Sequence, residues 1–267
     1  MKILIVSGFL GAGKTTFIKR LARNVDQRFA ILENEYGAAG IDGARLGQNR
    51  QGTQKNVWEM TEQCICCIGK KDFAASVLTI ANVVDPEYLI VEPTGVGSLA
   101  RIIENLRQIE YERIQLLSPV TIVDVYSYRR YMAEYPELYQ DQIRSADTII
   151  VSKTEACQAE EKQRIQKFLQ EINPQAKIIT DYASTMTRED YQSLLLGGRY
   201  EKEVQDTQSG EKMPETFSFE NIRMEAPETL WCFLEQIIRG AFGNIIRAKG
   251  QFAAGDQFLQ FLSLIHI

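Results

Sequence analysis

The chain has 267 residues, 45% of them hydrophobic, which is room for one large domain or a large domain with a small companion. A formal charge of -5 and a pI near 5.2 leave no basic footprint, so neither nucleic acid nor anionic membrane is expected as a partner and any polyanion must be held at a local site. The first apolar run is far too short for a signal peptide and no stretch is long enough to span a bilayer, so the cytoplasm is the expected compartment.

Short β-branched or apolar runs alternate along the chain with longer stretches of helical period, the pattern of βαβ units. The predicted strands are 2–6, 29–33, 88–92, 119–123, 147–151 and 176–180. Between them, Phe17, Leu21, Val77, Ile80, Val84, Ile165, Phe168 and Leu169 recur at helical spacing. Residues 1–198 are therefore expected to form one α/β domain, a mainly parallel sheet flanked by helices. Residues 199–215 turn polar and are expected to be a linker. Residues 216–267 are expected to form a small α+β domain, with a strand over Phe217–Met224, a helix over Pro227–Arg239, a strand over Asn244–Phe252 and the start of a hairpin over Phe252–Phe261.

Gly8-Phe9-Leu10-Gly11-Ala12-Gly13-Lys14-Thr15 follows the first strand and opens a helical stretch. This is the phosphate-binding loop of a nucleotide triphosphatase, in which glycine-rich backbone lets N–H groups close around phosphate oxygens. Lys14 would reach the β- and γ-phosphates, the Thr15 hydroxyl would ligate Mg²⁺, and the positive end of the helix would face the anion.

Five cysteines do not make a disulfide scaffold in a chain of this length, but Cys64, Cys66 and Cys67 fall within four positions. Thiolates so grouped suit a soft or borderline ion, at Zn–S distances of about 2.3 Å. Neighbouring side chains on an extended strand diverge, so Cys66 and Cys67 could share an ion only across a turn, for which Gly69, Lys70 and Lys71 are suitable. The alternatives are buried small hydrophobes or a redox pair. Cys157 and Cys232 read as packing residues, and the one histidine is His266.

Further along, Glu92 ends a predicted strand before Pro93-Thr94-Gly95, where a carboxylate could hold the Mg²⁺ water shell or orient the attacking water, and Gly95 would let backbone approach the γ-phosphate. Glu33 and Glu35 are expected to point in different directions, one toward metal and the other toward magnesium or water. The segment from Tyr36 to Asn56 is long and polar, suited to a switch loop that orders with the γ-phosphate. Asp124, at the end of strand 119–123, is a lesser candidate. Strand 147–151 runs into Ser152-Lys153-Thr154-Glu155, where a base-reading loop belongs. A carboxylate there accepts from guanine N1–H and the 2-amino group, whereas adenine would leave it unpaired.

These motifs, in this order, resemble the CobW-like metal-chaperone GTPases: Gly8 to Thr16, Glu33-Asn34-Glu35-Tyr36-Gly37, Cys64-Ile65-Cys66-Cys67, Glu92-Pro93-Thr94-Gly95 and Arg247-Ala248-Lys249-Gly250. The family's guanine motif is usually N-K-x-D, from which Ser152 and Glu155 depart while keeping the lysine stem and a carboxylate. Gln63 stands where the family usually has glycine. The resemblance implies a P-loop GTPase domain that hydrolyses GTP to GDP with Mg²⁺, slowly and under metal or partner stimulation. It also implies insertion or delivery of Zn²⁺ or Co²⁺ to a client metalloprotein. By resemblance, Cys66, Cys67 and Glu33 would hold the ion with Cys64 as a further thiolate, Thr15 and Glu92 would hold Mg²⁺, and Lys14, Glu92 and Glu35 would be catalytic. Nucleotide would be bound by Gly8, Gly11, Ala12, Gly13, Lys14, Thr15, Thr16, Gly95, Ser152, Lys153 and Glu155. The family's second domain continues well beyond this chain's length, so a truncated reading frame is expected, with residues 262–267 foreign to it.

Two rivals share the loop. A small-molecule kinase would need arginines over the phosphates, for which Arg129-Arg130 is the paired candidate; a nucleotide-dependent scaffold would use the cysteines as structural zinc ligands.

Overall fold

The computed structural model describes residues 1–27, 29–35, 58–63, 70–204, 217, 219, 222–224, 226–243, 245–254 and 257–264. Strand β1 (Lys2–Gly8) sends alternate side chains to opposite faces, and both faces are covered: Ile3 and Ile5 enter one apolar cluster, Leu4 and Val6 another. Burial on both sides is what a parallel sheet between helical layers requires. Its companions are β2 (Phe29–Glu35), β3 (Trp58–Gln63), β4 (Tyr88–Glu92), β5 (Gln115–Leu116), β6 (Val120–Asp124), β7 (Thr148–Ser152) and β8 (Lys177–Ile179). Among the described residues they form an eight-stranded sheet in the order β3-β2-β4-β1-β6-β7-β8, with β5 beside the start of β1 and every pairing parallel. The fold is α/β, of the P-loop kind expected from the sequence.

Helix α1 (Lys14–Asn24) lays Phe17, Ile18 and Leu21 on one face of the sheet. On the other face, α2 (Lys70–Val83) contributes Phe73, Val77 and Ile80, and α3 (Leu99–Arg107) contributes Ile103 and Leu106. Helices α4 (Tyr128–Glu134), α5 (Pro136–Arg144) and α6 (Ala159–Ile172) pack with β6 and β7 around a third cluster that also takes in Phe9. The short α7 (Tyr182–Thr185) and α8 (Arg188–Leu196), the latter opened by a Thr187/Asp190 capping box, bring Tyr182, Tyr191 and Leu195 against α1.

All six predicted strands are present; β3 and β5 are additional. The β3 segment, Trp-Glu-Met-Thr-Glu-Gln, is too polar to signal a strand, and it sits at the sheet edge with β2 as its neighbour. Strand β2 continues through Glu35, so positions 33 and 35, two apart, share a face of the strand. The expected divergence of Glu33 and Glu35 is thereby corrected at the level of the backbone.

Past α8 the chain stays on this body. Tyr200 is 3% exposed, donates its hydroxyl to Ser145 O at 2.9 Å, and Val204 packs beside it on the same cluster. A second, three-stranded sheet, β11-β10-β9, follows, from β9 (Arg223–Met224), β10 (Arg247–Ala254) and β11 (Gln257–Leu264). Helix α9 (Pro227–Ile238) sets Leu230 and Leu234 against Leu259 and Phe261 of the hairpin. Gly250 faces Phe261 in register, and a Cβ there would lie 2.5 Å from the ring. Residues 262–264 belong to β11, paired with Arg247–Lys249. Among the described residues no helix is long and apolar enough to cross a membrane.

Candidate functional site

Strand β1 lies where the sheet order reverses, with β4 on one side and β6 on the other, and the crevice beyond such strand ends is where an open parallel sheet takes ligands. The turn that fills it is built on close backbone approach. Gly8 has φ 142° and a Cβ there would meet Ile122 O at 2.4 Å; Gly13 caps α1 at φ 99°. Gly95, on the loop after β4, lies against the turn itself: a Cβ would be 2.5 Å from Leu10 N and 2.9 Å from Phe9 C. Lys14 is 7% exposed, and its Nζ donates to Gly8 O at 3.0 Å and Phe9 O at 3.4 Å, back across its own loop.

The Thr15 hydroxyl donates to both carboxylate oxygens of Glu92, at 3.0 and 3.1 Å. Glu33, 3% exposed, is the register partner of Glu92 on the neighbouring strand, and register partners in a parallel pair lie on one face. The Thr15 hydroxyl and the Glu92 carboxylate thus meet at the head of α1, with Glu33 on the neighbouring strand. Oxygen donors of this kind fit a hard divalent cation.

The other half of the crevice starts from β7. Ser152, 2% exposed, donates its hydroxyl to Ala12 O at 2.6 Å, so the shorter residue still ties this strand end to the phosphate turn. Lys153 has φ 60° and extends its Nζ to Asp124 Oδ2 at 2.6 Å. Asp124, 2% exposed, also accepts from Tyr126 N at 2.9 Å. Glu155 is exposed, on the rim of a cleft of about 510 Å³ lined also by Thr154, Lys162, Asp181, Ala183, Ser184 and Thr185. Across it, Lys162 Nζ donates to Asp181 Oδ1 at 2.6 Å, and this bond, with help from Thr154, holds the Asp181 carboxyl below its usual range.

Residues 2–180 match the family model for the CobW/HypB/UreG nucleotide-binding domain. The chain belongs to that family. Similar proteins include the zinc chaperone YeiR of Escherichia coli, 30% identical over 178 residues that cover 66% of this chain and 53% of the relative. The zinc chaperone CobW of Pseudomonas aeruginosa is 27% identical over 194 residues, covering 62% and 52%. The chain spans about half the length of these curated relatives. In fold it is similar to the zinc-bound YjiA GTPase from E. coli, with a TM-score of 0.55 at 18% identity over 100% of this chain and 87% of that one. Hydrogenase maturation factor HypB from Archaeoglobus fulgidus gives a TM-score of 0.51 at 18% identity over 73% and 89%.

In this family member, Gly8, Gly11, Ala12, Gly13, Glu92, Gly95, Ser152 and Lys153 lie at the carboxyl ends of β1, β4 and β7 or on the turns they enter, and Lys14, Thr15 and Thr16 form the first turn of α1. Glu155 stands apart on the cleft rim, and Glu35 ends β2. Cys64, Cys66, Cys67 and the segment from Tyr36 to Asn56 lie outside the described residues. Cys157 is half-buried against the third cluster, as a packing residue should be, whereas Cys232 is exposed. Lys162 and Asp181 line this cleft without having been sequence candidates, and Asp124, the lesser candidate, is bonded to Lys153. The position of Asp124 at a strand end was the available signal; the Lys162–Asp181 pair gave none, since each residue alone reads as a solvated charge.

Proposed function

We propose that the chain is a cytoplasmic GTPase whose nucleotide cycle drives a zinc-class ion, Zn²⁺ or Co²⁺, onto a client metalloprotein. The observation that carries this reading is the Thr15–Glu92 contact at 3.0 and 3.1 Å, at the first turn of the helix that follows a phosphate loop. The hydroxyl and carboxylate are the oxygen pair that would hold Mg²⁺, which when bound neutralises charge on the β- and γ-phosphate oxygens. The Lys14 ammonium, hydrogen-bonded to loop carbonyls, would exchange them for phosphate oxygens; Glu92 and Glu35 would orient the attacking water. Turnover in such a site is slow until metal or client completes it.

The cargo ion would be taken by Cys64, Cys66, Cys67 and Glu33. Support for a metal comes from similarity to zinc chaperones, and support for its link to nucleotide comes from Glu33 standing beside Glu92 in register. The kinase alternative loses its arginines. Arg129 is tied to Glu161 at 2.9 Å and Arg130 to Glu134 at 3.0 Å.

Guanine would be read by the Glu155 carboxylate over the stem of Lys153, which Asp124 holds in place. Calorimetric titration with GTP and ATP tests this. The parent should bind GTP at least about tenfold more tightly than ATP, and Glu155→Gln should shrink that preference. Equal affinities in the parent contradict the guanine assignment.

A further inference from the structure

Two consecutive helices, α4 and α5, hold both of the loops that flank the phosphate site, and they do so through buried polar side chains. On α5, Gln142 is 1% exposed, and its Nε2 donates to Gly95 O and Gly97 O at 3.0 Å each. The amide has one sensible orientation, because turning it over would set Oε1 against two carbonyls. The preceding residue, Asp141, is 6% exposed and accepts from Leu99 N at 2.7 Å and Ala100 N at 3.4 Å, the first N–H groups of α3. Two successive residues of one helix therefore fix the backbone from 95 to 100.

On α4, the Tyr131 hydroxyl donates to Leu10 O at 3.2 Å, and its ring lies 4.2 Å from that of Phe9. Burial pushes this phenol up to about 12, so it remains a donor at neutral pH. The helix pair has a firm base. Thr121 Oγ1 donates to Gln142 O at 2.9 Å, and Asn173 Nδ2 donates to Ile143 O and Ala146 O at 2.8 and 2.9 Å.

The loops so held are not independent. A Cβ on Gly95 would be 2.5 Å from Leu10 N, so the loop after β4 and the phosphate turn share one close backbone contact, with Gln142 gripping one side and Tyr131 the other. We propose that Gln142 and Tyr131 are positioning residues that hold the Gly95 and Leu10 backbones in register for the γ-phosphate. This rests on the nucleotide reading above. Gly13 to Thr15 at the helix start would serve the inner phosphates, whereas Gly95, three residues beyond Glu92, would approach the γ-phosphate. Loss of either grip should therefore weaken triphosphate binding and leave diphosphate binding intact. A merely structural role would weaken both.

The experiment compares the parent, Gln142→Leu and Tyr131→Phe for affinity toward GDP and a non-hydrolysable GTP analogue, both with Mg²⁺, alongside kcat and KM for GTP. Removing two hydrogen bonds in Gln142→Leu should cut analogue affinity and kcat about tenfold, with GDP affinity within about twofold of the parent; Tyr131→Phe should show about a threefold loss of the same pattern. Tyr131→Phe keeps the ring and decides the matter if Gln142→Leu does not fold. Equal losses for both nucleotides, or no loss for either, overturn the proposal while the parent's own guanine binding leaves the broader reading standing. A parent that binds no guanine nucleotide overturns both.

Discussion

The two halves of the crevice are built in opposite ways. At the phosphate half, backbone packs on backbone: Gly8 against Ile122, Gly95 against Leu10, with Lys14 and Ser152 bonded to loop carbonyls. At the base half, side chains face solvent, Glu155 on the rim and Lys162–Asp181 across an open cleft, with 25% and 29% of those two side chains exposed. The first arrangement grips a group common to every nucleoside triphosphate and cannot tolerate added atoms. The second, proposed to read the base, can change residues at little cost in stability.

Substitutions should expose that contrast. Lys14→Ala removes a cation aimed at the phosphates, and GTP turnover should fall at least about 100-fold, the usual consequence of losing a preorganised charge donor. A smaller loss, measured at saturating nucleotide, would mean that the loop's N–H groups suffice. Gly95→Ala forces a Cβ to within 2.5 Å of Leu10 N, and since that neighbour is backbone the variant should lose about 1–3 kcal/mol in denaturant unfolding. An unchanged midpoint would show that the two loops can separate freely.

The base half predicts the smallest effect. The Lys162 hydrogen bond lowers the folded-state pKa of Asp181, so its contribution is present above the ordinary carboxylate pKa and fades as pH falls through the folded value. Parent and Asp181→Asn should differ by only about 0.2–1 kcal/mol at pH 7, with the gap closing below about pH 4. A gap that widened in acid would reverse the sign of that interaction.

What could be read from the sequence was what is local. Gly8 to Thr15 is one continuous motif between a strand and a helix, so both its place and its geometry follow from neighbouring residues. Glu92 was legible for a related reason: strand ends in a parallel sheet converge, and the strand that ends there was plain. The pairing of Gln142 with Gly95 spans 47 positions, and no local pattern announces it. Trp58–Gln63 escaped because an edge strand needs little apolar alternation. The relation of Glu33 to Glu35 depended on where β2 stops, and strand boundaries are the part of a sequence reading most easily displaced by tertiary pairing.

In the proposed cycle nucleotide and metal act on one another through neighbouring carboxylates, Glu33 beside Glu92, with Glu92 bonded to Thr15. The most direct test is competition for Zn²⁺ with a chromophoric chelator, run with GDP and then with a non-hydrolysable GTP analogue, each with Mg²⁺. Zinc affinity should differ between the two states by about 5–150-fold, and zinc should change analogue affinity relative to GDP by the same factor, as linkage demands. Identical zinc affinities in the two nucleotide states would contradict it.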